Sequence, residues 1–211
     1  MAKANFGADP EKVDKIKREK TLILIKPDAV ARKIVGEIIG RFEKKSLKVV
    51  ALKLVHPTKE TVAAHYIDDE VWLVEAGTKT YNNFVEKGFE VAESPREIGL
   101  MIRQRLVDSM TAGPVVAMVV EGAHVIEAAR KMRGATSPTR AEPGTIGFDY
   151  SVDSYELGDA GDWGTKNIIH ASDSVENANR EIAIWFKPEE IIEYDTAECQ
   201  ILYSKSWYKN K

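Results

Sequence analysis

An α/β sandwich, with helices packed on one face of a four-stranded antiparallel sheet, is the fold class this sequence predicts. Three observations lead there. Short β-branched apolar runs are each stopped by turn residues, and stretches with apolar residues at helical spacing lie between them. No internal repeat or heptad run points to a solenoid or a coiled coil.

Residues 21–25 form an apolar run closed by Lys26-Pro27-Asp28, which reads as a buried strand opening into a turn. Over residues 31–45, Ile34, Ile38, Ile39 and Phe42 make a helical stripe opposite Arg32, Lys33, Glu37, Arg41 and Glu43. Residues 47–55 set apolar Leu47, Val49 and Ala51 against Lys48 and Lys53, as a second strand would, and His56 is the turn residue that ends it. Residues 58–66 and 97–110 are helical. Between them, residues 67–96 are polar and poorly periodic, an inserted excursion. Residues 115–120 are the strongest strand, and residues 123–133 a helix stopped by Gly134. With six glycines and two prolines, residues 134–166 read mostly as loop, and a loop of that length is usually functional or disordered. Residues 167–170 are a strand or turn. Asp173 and Glu176 fit a capping box that opens a helix buried through Val175, Ala178, Ile182 and Trp185. The tail holds one short strand at 200–203 and a basic end. This order of elements is that of a ferredoxin-like sandwich.

The chain has 211 residues, 30 basic and 33 acidic side chains, and a formal charge of −3. That balance disfavours a protein whose main task is gripping a nucleic-acid backbone, so any polyanion must be held locally. The single cysteine, Cys199, can form neither an intramolecular disulfide nor a cysteine zinc site. No apolar stretch approaches the roughly 20 residues of a membrane helix. Residues 1–20 mix six basic and four acidic side chains without the apolar core of a signal peptide, and read as a frayed polar leader. Cytoplasmic residence and no membrane partner are the expectations.

Neither a P-loop nor a dinucleotide-binding glycine turn is present, so a phosphate site has to be assembled from side chains. Two places qualify. Lys26 stands at a strand end, where it either offers a point charge to phosphate or snorkels to water. His170 lies between apolar residues and a helix start, so it is either a rigidly held phosphoryl acceptor near backbone N–H groups or a structural histidine in a polar turn. His65 reads as an exposed helix residue and His124 as a helix-start residue.

Lys26-Pro27-Asp28 after its strand, Arg130 with Thr136 and Pro138, Pro143-Gly144-Thr145-Ile146, and residues 167–174 through Glu181, Trp185 and Phe186 together resemble the nucleoside diphosphate kinase family. The resemblance covers about residues 20–190, within a single domain of residues 21–211 carrying insertions at about 67–96 and 152–166. It implies ping-pong transfer of a γ-phosphate from a nucleoside triphosphate to a nucleoside diphosphate through His170. It also implies that Glu181 orients the imidazole, that Ser172 steadies Glu181, and that Tyr66 lies near the reacting phosphate. Lys26, Arg130 and Thr136 match phosphate-binding positions, Asn167 a ribose contact, and Ile102 the neighbourhood of the base. Mg2+ would arrive with the nucleotide rather than occupy a protein cage. A homo-oligomer built from dimers, up to a hexamer, is also implied.

The chain departs from the family pattern in three places. Gly147 stands where the family usually carries a phosphate-binding arginine, with Arg140 and Lys166 as substitutes at unmatched positions. The excursion at 67–96 displaces the base-stacking phenylalanine, and the aromatic residues inside it suggest a lid in which Trp72 or Phe84 covers the base. The loop at 152–166, which contributes to subunit contacts in the family, is lengthened. The competing reading is a ferredoxin-like nucleotide-binding regulatory module with weak or no transfer; RNA binding on the sheet is disfavoured for want of exposed aromatic pairs and a basic balance.

Overall fold

The computed structural model describes residues 9–204. The start of the polar leader and the basic end fall outside the described residues. Four strands, β1 (Lys20–Ile25), β2 (Lys48–Val55), β3 (Val115–Glu121) and β4 (Ile169–Ala171), form one sheet in the order β2-β3-β1-β4. Every neighbouring pair is antiparallel, with Leu24 opposite Ala117 on one side and His170 on the other.

Helices cover both faces of this sheet rather than one. Ile23, Ile25, Met118 and Val120 pack against α3 (Val35–Lys44) and α7 (Val125–Arg133). Leu22, Leu24, Ala117 and Val119 pack against α4 (Lys59–His65), α6 (Pro95–Thr111) and α10 (Val175–Trp185). The sequence carried this information: an unbroken apolar run, as residues 22–25 of β1 and 115–120 of β3 are, has no face to offer to water. On β2 the expected alternation of Leu47, Val49 and Ala51 is broken by a bulge between Val49 and Ala51, which buries Val50 and leaves Leu52 and Leu54 exposed.

Several local expectations change. The leader forms α1 (Pro10–Lys17), capped by Asp9, whose side chain accepts from the Lys12 N–H. The helix expected at 31–45 is two helices, α2 (Pro27–Ala31) and α3, separated at Lys33 with φ 60°. The helix α10 is capped by Ser174, whose Oγ accepts from the Asn177 N–H, so the cap lies one residue beyond the expected Asp173. The glycine-rich stretch contains α8 (Ile146–Tyr150) and α9 (Tyr155–Gly161). Residues 200–203 belong to a helix, α11 (Ala197–Tyr203), not a strand; a short apolar run has no periodicity to separate the two. The Tyr203 hydroxyl accepts from the Ala123 N–H, fixing this helix beside the end of β3.

The largest difference is the excursion. It contains α5 (Glu70–Glu86), a helix capped by Asp69 that lies antiparallel-fashion along α6 through a short connection. Its pattern is weak because the contact is made by glycines, which carry no apolar signal. A Cβ on Gly77 would overlap the Pro95 carbonyl, and one on Gly99 the Leu73 carbonyl. Gly40, in contrast, has open space around its Cβ position. Gly99→Val is therefore expected to destabilise the fold by about 1–3 kcal/mol through overpacking, whereas Gly40→Ala is expected to stabilise it by about 0.5–1 kcal/mol. Urea unfolding of both variants checks the pair, and equal midpoints would remove the close helix contact from the account.

Candidate active site

Alternation along β4 decides where His170 points. Ile169 and Ala171 enter the core on the α3 and α7 side, so His170 faces the opposite layer, towards α4 and α10. There its Nε2 lies 2.9 Å from Glu181 Oε2 on α10. The same carboxylate oxygen accepts from Ser172 Oγ at 2.7 Å, while Ser172 Oγ accepts from the Leu22 N–H of β1 at 3.2 Å. Glu181 is buried and bonded by donors, so the proton of the neutral imidazole belongs on Nε2. Nδ1 is left with its lone pair free, the form a nucleophilic histidine needs.

His65 is the residue the sequence reading missed. It is buried, with its ring 4.5 Å from the His170 ring at 82° and its Nδ1 accepting from Trp185 Nε1 at 3.4 Å. Burial, together with nearby His170 and Arg180, pushes its pKa well below the ordinary histidine value, so it stays neutral. Its signal was its neighbour: Tyr66, already matched to the site, packs edge-on against it at 4.7 Å. Burial raises the Tyr66 phenol above its usual range and keeps the hydroxyl protonated. Arg180 ties α10 to α4, donating to the Ala64 and His65 carbonyls at 3.2 and 3.3 Å. His124 heads α7 as expected, at φ 54°.

Lys26 is buried rather than snorkelling. Its Nζ donates to Asn167 Oδ1 at 2.6 Å, and Asn167 Nδ2 donates to the Thr136 carbonyl at 2.9 Å. Thr136, Asn167 and Ile102 line a cavity of about 670 Å³, whose far wall includes Trp72 of α5 and Tyr155 of α9. Of the two proposed lid aromatics, Trp72 reaches this cavity; Phe84 packs on Phe89 at 5.8 Å. Arg130 lies exposed in the last turn of α7, beside Arg133. Of the possible substitutes at Gly147, Arg140 lines this same cavity, near Glu156 and over the Tyr155 ring, while Lys166 lies over the Trp163 ring at 4.1 Å.

His65, His170 and Glu181 are the one group of potential metal ligands found among the described residues. Two imidazoles and one carboxylate, already bonded to one another or to Trp185, do not make the oxygen cage that magnesium prefers. A magnesium ion fits here only as part of a bound polyphosphate.

A histidine oriented by a carboxylate, and a buried lysine in no ion pair that is joined through Asn167 to the wall of a roomy cavity, define a phosphotransferase site on an antiparallel α/β sheet. Comparison with known proteins carries the assignment further. The family model for nucleoside diphosphate kinase matches residues 19–93 and 96–191. A nucleoside diphosphate kinase from Pyrobaculum aerophilum is 47% identical over 180 residues, covering 83% of this chain and 98% of that one. A cytosolic nucleoside diphosphate kinase from Dictyostelium discoideum is 42% identical, covering 85% and 91%. Among solved structures, an NDP kinase from Pyrobaculum aerophilum superposes with TM-score 0.81 at 45% identity, covering 83% of this chain and all of the other. The nucleoside-diphosphate kinase of Borrelia burgdorferi, solved as a transition-state mimic with vanadate and ADP, gives TM-score 0.72 at 33% identity, covering 89% and 98%. The chain belongs to the nucleoside diphosphate kinase family.

Burial lowers the Lys26 ammonium to about 8. The group is charged below that value and neutral above it, so its attraction for an anion is fully present in the neutral range and is lost as pH rises past about 8. Sulfate does not titrate there, and its affinity is expected to fall by up to about tenfold per pH unit above 8, followed through amide chemical shifts. In Lys26→Met the profile should be flat. A flat wild-type profile to pH 9.5 would show that Lys26 does not carry the charge.

Proposed function

We propose that the chain is a nucleoside diphosphate kinase that works by two half-reactions at His170. The His170 Nδ1 lone pair attacks the γ-phosphorus of a nucleoside triphosphate; the N–P bond forms as the bond to the β–γ bridging oxygen breaks, and the diphosphate leaves with that electron pair. A second nucleoside diphosphate then attacks the phosphohistidine through its terminal oxygen, restoring the neutral ring. Glu181 offsets the positive charge that the ring acquires, and Ser172 holds Glu181 in place. Lys26, Arg130 and Thr136 bind phosphate, Asn167 contacts the ribose, Tyr66 stands by the reacting group as a protonated donor, and Ile102 lies against the base. Bound with the nucleotide, Mg2+ supplies charge neutralisation at the phosphate oxygens.

The single observation that carries this reading is the chain of contacts from His170 through Glu181 to Ser172, because it fixes both the ring and its tautomer. The same chain argues against the regulatory-module alternative, which has no need of an oriented imidazole. A homo-oligomer built from dimers accords with the exposed Leu52 and Leu54 on β2, an edge strand whose first half is already bonded by Ile192 and Tyr194. Cytoplasmic residence accords with the cytosolic relative and with the finding that no described helix is long and apolar enough to cross a membrane. We read residues 21–211 as one domain.

Incubation with labelled ATP should give an acid-labile, alkali-stable phosphoprotein, and His170→Ala should give none while keeping its circular dichroism. Labelling of that variant would move the acceptor elsewhere. Glu181→Ala should still bind nucleotide but transfer about 10²-fold more slowly, as rapid-quench labelling would measure.

The position of Trp72 on the cavity generates a separate test of base contact. Trp72→Ala should weaken nucleoside diphosphate binding by roughly 1–3 kcal/mol, and Phe84→Ala should leave it unchanged, both by calorimetry. Unchanged affinity in the Trp72 variant would mean that the α5 wall does not touch the base.

A further inference from the structure

The last turn of α7 holds three cations, Arg130, Lys131 and Arg133. Lys131 is paired with Glu127 at 2.6 Å. Arg133 is half-buried and has no carboxylate partner among the described residues. It is held instead by neutral oxygens on its own segment: Nε donates to the Gly134 carbonyl at 3.1 Å, and Nη2 to Thr136 Oγ1 at 3.3 Å. Thr136 in turn lines the cavity. A guanidinium tied down by two of its five N–H groups keeps the others for a planar or tetrahedral oxyanion.

The electrostatic surroundings agree. Burial and the adjacent Arg130 lower the Arg133 pKa, and Arg133 in its turn depresses Lys26. These two partly or fully buried cations act on one another, with Asp28 near Lys26 and Asp173 near Arg133 drawing each the other way without closing an ion pair on either. An arginine at a helix C-terminus is often no more than a partner for the helix dipole. That role needs only a charge at the surface, and Arg130 and Lys131 supply it; Arg133 is turned onto Thr136 instead.

The backbone at Gly147 shows why the cation comes from α7. Gly147 is buried, and a Cβ there would stand 3.1 Å from the Arg133 carbonyl and 3.6 Å from the Ala135 carbonyl. A larger residue at 147 would press on the segment that carries Arg133. The backbones at the two positions are therefore neighbours in space.

We infer that Arg133 is a phosphate-binding residue of this chain, gripping the phosphate groups of the nucleoside diphosphate or triphosphate where Thr136 meets the cavity. This inference rests on the kinase reading and assigns a residue to that site.

Calorimetry with ADP, adenosine and inorganic pyrophosphate on wild type, Arg133→Gln and Arg133→Lys tests it. In Arg133→Gln, ADP and pyrophosphate affinity should fall roughly tenfold, with adenosine binding unchanged. Arg133→Lys keeps the charge without the fork and should fall between the two. Equal affinity for pyrophosphate in all three proteins overturns the assignment, as does a parallel loss for ADP and adenosine, which would mark a role in folding only. If Arg133→Gln does not fold, the lysine variant decides alone, since unchanged pyrophosphate binding there leaves the fork no function. The kinase reading fails by a different result: a wild-type protein that ATP does not label, whatever its affinity for pyrophosphate.

Discussion

The clamp between the end of β1 and residues 167–168 fixes the geometry on which the site depends. Ile168, a β-branched residue, sits at φ 71°, a conformation that costs free energy and persists only when its surroundings over-determine it. Here they do. The Lys26 N–H donates to the Ile168 carbonyl at 2.8 Å, the Ile168 N–H donates to Asp28 Oδ2 at 3.1 Å, and Lys26 Nζ donates to Asn167. One tripeptide, Lys26-Pro27-Asp28, thereby holds both the turn before β4 and the register that turns His170 towards Glu181. Releasing Asp28 would let the turn relax, and His170 would lose its direction before it lost its fold.

Around that clamp the charges are sorted by burial. His65 is held neutral by desolvation, so it can pack flat-to-edge against the nucleophile without competing for its proton. The Glu181 carboxyl group is satisfied by His170 and Ser172, with Arg180 Nη2 3.4 Å from its other oxygen. Lys26 and Arg133 form no ion pair: burial opposes the charge of both, and Asp28 and Asp173 offset it only in part and without contact. A buried cation is expensive without a partner. The unliganded protein thus carries a cost that a bound polyphosphate relieves, and relief of that kind couples ligand binding to stability.

The fold was legible where side chains repeat, and obscure where backbone contacts do the packing. The β1 run, the strong β3 run and the stripe of α3 announced themselves through period alone. The helix α5 did not, because its contact with α6 is made at Gly77 and Gly99, and absence of a side chain leaves no hydrophobic pattern. At the site, Lys26, His170, Ser172 and Glu181 were legible because each belongs to a contiguous motif. His65 was not, since its burial arises only when α4 is laid against α10, and its adjacency to Tyr66 was the one local sign of it. Arg133 was not legible for a related reason: its proximity to Gly147 exists only when α7 is laid against α8.

The cavity's two inserted walls are secured by different physics. The α5 wall is anchored by fully buried Leu73 and by backbone approaches too close to admit a methyl group, so its position follows from core packing. The α9 wall is joined to α6 through Arg105, which reaches Asp159 at 3.0 Å and Asp162 at 2.8 Å. Asp162 is largely exposed, and ion pairs of that kind contribute about 0–1 kcal/mol and weaken with salt. Trp72 therefore stands on the stiffer wall and Tyr155 on the softer one. The two aromatic residues thus face the same cavity from supports of unequal stiffness.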